Sequence, residues 1–294
     1  MEHARLDRGA ALLVLGSATA WSFGGAIARF LTVQESWTVV FWRSTFAALF
    51  LLAFMLWRDG LRGTRTLFLA MGWPGLAVGT CFAIASTSFV SALAYTSVAN
   101  ILLMQAGVPL IAALLSALLF REHVSGPTWL AIAAVIAGVA IMVSDSLSGS
   151  VSPIGDALAV LIALAFAGAT VITRRHAHVA MMPAVLTGCT LAALFAAWSL
   201  PPALVNAGDF VLLFAFGALN LGLGMALFVT GARRVPAAIA ALIGIAEPVL
   251  GPLWVWLIHQ ETPRPATLWG GGVVFVALLA HVLWQLREAP PAQA

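Results

Sequence analysis

The chain has 294 residues, of which 62% are hydrophobic and 9% charged, with a net charge of +3 and a mean hydropathy of +1.03. Soluble globular chains carry about 25% charged residues, so that class is excluded, and no polar stretch is long enough to make a separate soluble domain. The positive charges are single scattered arginines with no basic stripe, which argues against nucleic acid as a partner.

Ten apolar stretches follow one another at 10–31, 36–57, 67–95, 97–120, 127–144, 154–173, 180–200, 210–232, 235–258 and 266–286. Each is long enough to cross a hydrocarbon core of about 30 Å as a helix. The bilayer core offers no water to satisfy a backbone, so the pattern predicts an all-α membrane protein of ten transmembrane helices. The first stretch follows Arg5 and Arg8 and resembles a signal peptide, but it exceeds the usual signal core of about 7–15 residues and reads as a retained helix. The second carries Arg43 about a third of the way in. Such a side chain either snorkels outward or meets a carboxylate, from Glu247 or from a substrate.

The third and fourth stretches hold Ser86, Thr87, Ser88, Ser91, Asn100 and Gln105. These neutral groups serve helix packing or line a cavity. Phe89, Tyr95 (the chain's single tyrosine), Phe166 and Phe228, with Trp21 in the first stretch, are aromatic candidates for a path or a packed core. Cys81 and Cys189 lie inside apolar stretches and read as small apolar side chains. In the ninth stretch Glu247 precedes Pro248, with Pro252 beyond, about 18 Å of helix from the start of its span. A mid-membrane carboxyl is costly and faces a polar cavity or a partner. It either binds an ammonium or exchanges protons, or it is structural and holds the bend at the prolines.

Threading the helices alternately from a cytoplasmic N-terminus puts Arg5, Arg8, Arg58, Arg62, Arg65, Arg121, Arg174, Arg175, Arg233, Arg234 and Arg287 on the cytoplasmic side, against Arg29 and Arg264 outside. The connecting loops are short, so this bias predicts both termini in the cytoplasm. Trp37, Trp57, Trp198, Trp269 and Trp284 near helix ends fit an interfacial belt.

Shifted by 139 residues, the chain matches itself: Pro109 falls on Pro248, Glu122 on Glu261, and Phe89-Val90 on Phe228-Val229. The first and sixth stretches align at an offset of 145, which pairs Arg29 with Arg174. The expectation is therefore two five-helix repeats, 1–145 and 146–294, joined by the small polar segment 145–153. Five is odd, so the second repeat enters the bilayer inverted, an arrangement typical of transporters with a site between the halves.

Ala94-Tyr95-Thr96-Ser97, the Pro109 helix closing on Phe120-Arg121-Glu122, Glu247-Pro248, Trp21 and Arg43 together resemble the EamA-type proteins of the drug/metabolite transporter superfamily. The resemblance covers nearly the whole chain and is nearest to bacterial exporters of aromatic and other amino acids. It implies a central cavity lined by helices 1, 3, 4, 6, 8 and 9, and export of small metabolites across the bacterial inner membrane. Two departures stand out. The four-helix multidrug members have a glutamate in their first helix, where Leu12 to Phe30 here contains no acid, and Val108 occupies the place that Glu247 has in the second copy.

Zinc, nucleophile-elbow and phosphate-loop motifs are absent from the sequence, so no enzyme and no cofactor is expected. The substrate site is expected at Trp21, Arg43, Phe89, Tyr95, Asn100, Gln105, Phe166, Phe228 and Glu247. The cargo is expected to be amino acids or related metabolites, apolar and aromatic ones included, moved by alternating access down their own gradient in a protein that can act as a monomer. The competing readings are a proton-coupled exporter of cationic compounds and a membrane scaffold that transports nothing.

Overall fold

Arg43 and Ser86 are 43 positions apart, yet the Arg43 Nη1 donates to the Ser86 hydroxyl at 2.7 Å. A straight helix would hold them about 64 Å apart. The computed structural model, which describes residues 7–121, 124–147, 152–176, 180–199, 204–235 and 237–288, shows how they meet. They belong to one helical run, Ser36–Ala92, which breaks at Gly60 (φ 66°) and Gly72 (φ 50°). Positive φ is open to glycine at little cost, so the chain turns there and folds into two adjacent arms, 36–59 and 73–92. The third expected span, 67–95, therefore begins only at 73, and the helical piece 61–71 belongs to the turn between the arms.

The helices are α1 (Arg8–Ser22), α2 (Gly24–Phe30), α3 (Ser36–Ala92), α4 (Val98–Ala106), α5 (Val108–Phe120), α6 (Gly126–Leu147), α7 (Pro153–Arg175), α8 (Met181–Ser199), α9 (Ala207–Phe214), α10 (Gly224–Ala232), α11 (Ala237–Gly244), α12 (Ala246–His259) and α13 (Pro265–Glu288). A π-helical segment, Ala215–Leu223, joins α9 to α10. No strand occurs among the described residues. Eight stretches are long and apolar enough to span a bilayer, nine with the bent pair α4–α5 taken as one. Counting the two arms of α3 separately brings the candidate spans among the described residues to about ten.

Local chemistry starts these helices where they start. The Asp7 carboxylate accepts the Ala10 N–H at 3.0 Å, Glu35 accepts from Trp37 and Thr38, and the Ser97 hydroxyl accepts the Asn100 N–H at 3.1 Å. Each satisfies donors that a first helical turn leaves open. α7 opens on Pro153 and closes on Arg174 and Arg175, the polarity that the helix dipole favours.

Besides the π segment, three spans among the described residues are irregular in their interiors. α1 gives way to α2 at Phe23, α4 bends by 46° into α5 at Gly107, and α11 meets α12 at Ile245. Broken backbone at membrane depth must be re-satisfied by neighbours. Asn220 in the π segment does this for the first break, donating from Nδ2 to the carbonyls of Ala20 (2.6 Å) and Trp21 (3.0 Å). Trp254 Nε1 donates to the Ser22 hydroxyl at 3.0 Å on the same stretch.

Glycine sets how closely the spans approach. A Cβ on Gly217 would strike the Arg43 carbonyl and Phe46, and one on Gly224 would strike the Trp21 ring. Small residues are the usual means of close packing between helices in lipid. Trp57, Trp198 and Trp269 stand strongly exposed near helix ends, where an interfacial belt would put them. Glu122, one of the repeat landmarks, and positions 148–151 of the expected linker lie outside the described residues.

Candidate functional site

The nine expected site residues are not gathered in one cavity; they divide among three places. Trp21, Arg43, Phe89, Phe166 and Phe228 form the largest group. The Trp21 and Phe228 rings lie 5.5 Å apart, and both pack in one apolar cluster with Phe82. Phe82 meets Phe166 edge-on at 5.3 Å. Phe166 and Phe89 share the next cluster. The Arg43 guanidinium sits over two rings, 5.7 Å from the centre of Phe89 and 4.3 Å from that of Phe216. Aromatic faces attract a cation, and here they stand in for water around it.

Arg43 neither snorkels nor finds an acid. It is only 6% exposed, and among the described residues no carboxylate pairs with it. A contact with Glu247, one of the alternatives that the sequence left open, is not among its contacts. A buried Arg without a counter-charge is rare within a membrane span. Its Nε is buried with no partner, and so is Trp21 Nε1. The two residues bracket the π segment, with the Arg43 backbone against Gly217 and the Trp21 ring against Gly224.

Gln105 and Glu247 stand apart, each next to a break. Gln105 lies two residues before the bend at Gly107, and its Nε2 is a third buried donor without a partner. Glu247 is the second residue of α12, half-buried, with no hydrogen bond or ion pair to the described residues. A carboxyl in this setting is available to a ligand or to a proton.

Tyr95 and Asn100 are elsewhere, in an open polar cavity of about 350 Å³ at the end of the bundle that holds Arg29. Asn100 donates from Nδ2 to Asp156 and, at 3.0 Å, to the Thr96 hydroxyl. Beside it, Arg29 Nε meets Glu261 at 2.8 Å while its other nitrogens reach the carbonyls of Leu93 (2.9 Å) and Thr96 (3.2 Å). Glu261 also accepts the Val98 N–H at 3.1 Å, capping α4. One clasp thus joins the ends of α2, α3, α4 and α12.

Sequence reasoning missed Phe82, Phe216, Asn220 and Asp156. Phenylalanines in an apolar run carry no signal of their own, and neither does a single acid at the start of a span. Asn220 had a usable signal, being an amide in the middle of an otherwise apolar span.

Buried aromatics thus surround an unneutralised arginine, and helices break beside Gln105 and Glu247. The EamA-like transporter family model matches this chain twice, at residues 8–144 and 153–283. The chain belongs to the EamA-like transporter family. Two curated relatives, both named pseudopaline exporter CntI, come from Pseudomonas aeruginosa strains UCBPP-PA14 and PAO1. Each is 27% identical over 283 residues, covering 94% of this chain and 96% of its own length. One solved crystal structure of a protein 20% identical superposes with a TM-score of 0.65, covering 96% of this chain and 98% of that one, a likeness of fold. This EamA-like transporter is a multi-pass membrane protein, and a lipid bilayer is its setting.

Proposed function

We propose that this transporter exports small metabolites bearing both a carboxylate and an amine, chiefly amino acids with apolar and aromatic side chains, across the bacterial inner membrane. The observation that carries the reading is the buried Arg43 guanidinium, which lies against Phe89 and Phe216 with no carboxylate paired to it among the described residues and with its Nε donor open. A buried donor without a partner costs about 1–3 kcal/mol, and a passing carboxylate removes that cost. Glu247, an unpartnered carboxyl, is suited to the amine. Phe82, Phe89, Phe166 and Phe228 offer ring surface to the side chain. Such a surface discriminates weakly, since a methylene is worth about 1–3 kcal/mol, so a broad cargo range follows.

Alternating access between inverted halves, 1–145 and 146–294, supplies the movement. The offset of 139 residues supports this reading. Arg121 and Gln260 are equivalent under that shift, and both close their helices in the left-handed region (φ 54° and 55°). The interruptions at Gly107 and Ile245 also fall at nearly equivalent places. Both termini lie in the cytoplasm by the arginine count. Flow down the cargo's own gradient is preferred to proton antiport, because the first span carries no acid. The name of the relatives, pseudopaline exporter, supports the outward direction.

The test is flux in proteoliposomes for a labelled amino-acid panel, the cationic dye ethidium, and pseudopaline as the relatives' named cargo, with and without a pH gradient. Amino-acid flux without a pH gradient is the expected result. Dye flux alone would establish the multidrug alternative, and no flux of any kind would establish a scaffold.

A further inference from the structure

Four residues that each end a helix touch in two pairs, one at either end of the bundle. At the end that holds Arg29, Phe30 closes α2 and His259 closes α12, and their rings meet edge-on with centres 4.5 Å apart. His259 Nε2 also donates to the Ala26 carbonyl at 3.0 Å. At this same end α4 starts against Glu261 and α7 starts beside Asn100, so the spans that they open finish at the opposite end. There Phe120 closes α5 and Arg175 closes α7, and the Arg175 guanidinium lies over the Phe120 ring, 3.8 Å from its centre.

The two pairs are one contact made twice. The offset of 145 that sets Arg29 on Arg174 also sets Phe30 on Arg175, and the offset of 139 that sets Arg121 on Gln260 also sets Phe120 on His259. Register in the sequence and contact in space are independent observations, and they select the same four positions. Each pair also joins a span of the first half to a span of the second. The contacts are of a kind that can part and reform: Phe30 is 52% exposed and Phe120 41%, and ring–ring and cation–ring contacts are weak at exposed sites.

We propose that Phe30–His259 and Phe120–Arg175 are the two gates of the path, opened in turn, and that the structure holds both of them closed. This inference rests on the reading of the chain as an alternating-access exporter built from inverted halves, and it names the contacts that part on each side. By the arginine count Phe30–His259 is the outer gate. The bonds of Arg29 to Glu261 and to the Leu93 and Thr96 carbonyls lie in the same layer and part with it. Gln105, in the middle of the span that ends on Phe120, lies between the two gates.

Locking each gate and probing the space between them tests the proposal. In the full chain with Cys81 and Cys189 replaced by alanine, Phe30→Cys with His259→Cys, or Phe120→Cys with Arg175→Cys, is bridged by a short reducible bis-methanethiosulfonate. All four positions are at helix ends, and flux measured before bridging shows that each chain is folded. Bridging either pair is expected to abolish amino-acid flux, and reductant to restore it. A third substitution, Gln105→Cys, is then labelled with a membrane-impermeant maleimide in right-side-out and in inside-out vesicles. Unbridged protein is expected to label from both sides. The outer bridge is expected to leave labelling from the cytoplasmic side alone, and the inner bridge to leave it from the outer side alone.

Failure of either pair to bridge, labelling unchanged by a bridge, loss from the same side with both bridges, or a position 105 that no side reaches in unbridged protein would each overturn the gates. Flux that persists through both bridges removes the gates and leaves the exporter reading intact. Sidedness that switches as expected in a protein that moves no amino acid removes the amino-acid cargo and leaves the gates.

Discussion

Removing the clasp beside the polar cavity gives a result whose size can be worked out from its contacts. Arg29 makes three hydrogen bonds, one to Glu261 and two to carbonyls near the end of α3, and Glu261 adds a fourth by capping α4. The two side chains are 29% and 25% exposed, so water replaces only part of what is lost. At about 0.5–1.5 kcal/mol net per bond, Arg29→Ala is expected to cost about 2–4 kcal/mol of stability. Glu261→Gln keeps an acceptor for Val98 and is expected to cost about 1 kcal/mol. The double-mutant cycle isolates the pair itself. Exposed ion pairs couple by about 0.2–1 kcal/mol, and this mostly covered pair is expected to reach about 1–2 kcal/mol. Reversible unfolding by SDS in mixed micelles reads all three variants. A coupling near zero would show that the contact is an ordinary surface pair and that it does not hold the four helix ends together.

The remaining predictions concern the path. Arg43→Gln is expected to lower amino-acid flux at least tenfold, while Arg43→Lys, which keeps the charge but loses the forked donors, keeps a small fraction of it; wild-type flux in the glutamine variant removes Arg43 from cargo binding. Glu247→Gln is expected to reduce flux and flatten its pH response, measured in proteoliposomes between pH 5 and 8, and an unaltered profile excludes that carboxyl from the mechanism. Asn220→Leu leaves the Ala20 and Trp21 carbonyls without their donor, at an expected cost of about 1–3 kcal/mol in the same SDS titration.

The spans were legible in the sequence because the bilayer enforces one rule, a long apolar run between short charged connectors, and this chain obeys it almost without exception. The third span was misjudged at its start for the same reason. Residues 67–71 are apolar enough to continue the run, while the turn depends on the backbone angle at Gly72, which hydropathy does not encode. Arg43 and Glu247 were recognisable because a charged group inside an apolar run is conspicuous. Their surroundings were not, because partners come from distant helices: Ser86 and Phe216 approach Arg43 only after α3 has folded back and the π segment has packed against it. Arg29 and Glu261 served the sequence reading as a topology marker and a repeat landmark, and their contact across 232 positions emerges only in three dimensions.

Inversion of the two halves underlies the whole transport account, and its most direct test is the sidedness of two equivalent positions. Arg121→Cys and Gln260→Cys, each in a chain lacking Cys81 and Cys189, are exposed in intact cells to a membrane-impermeant maleimide, with and without permeabilisation. The account predicts that position 260 labels in intact cells and position 121 only after permeabilisation. Labelling of both from the same side would contradict it.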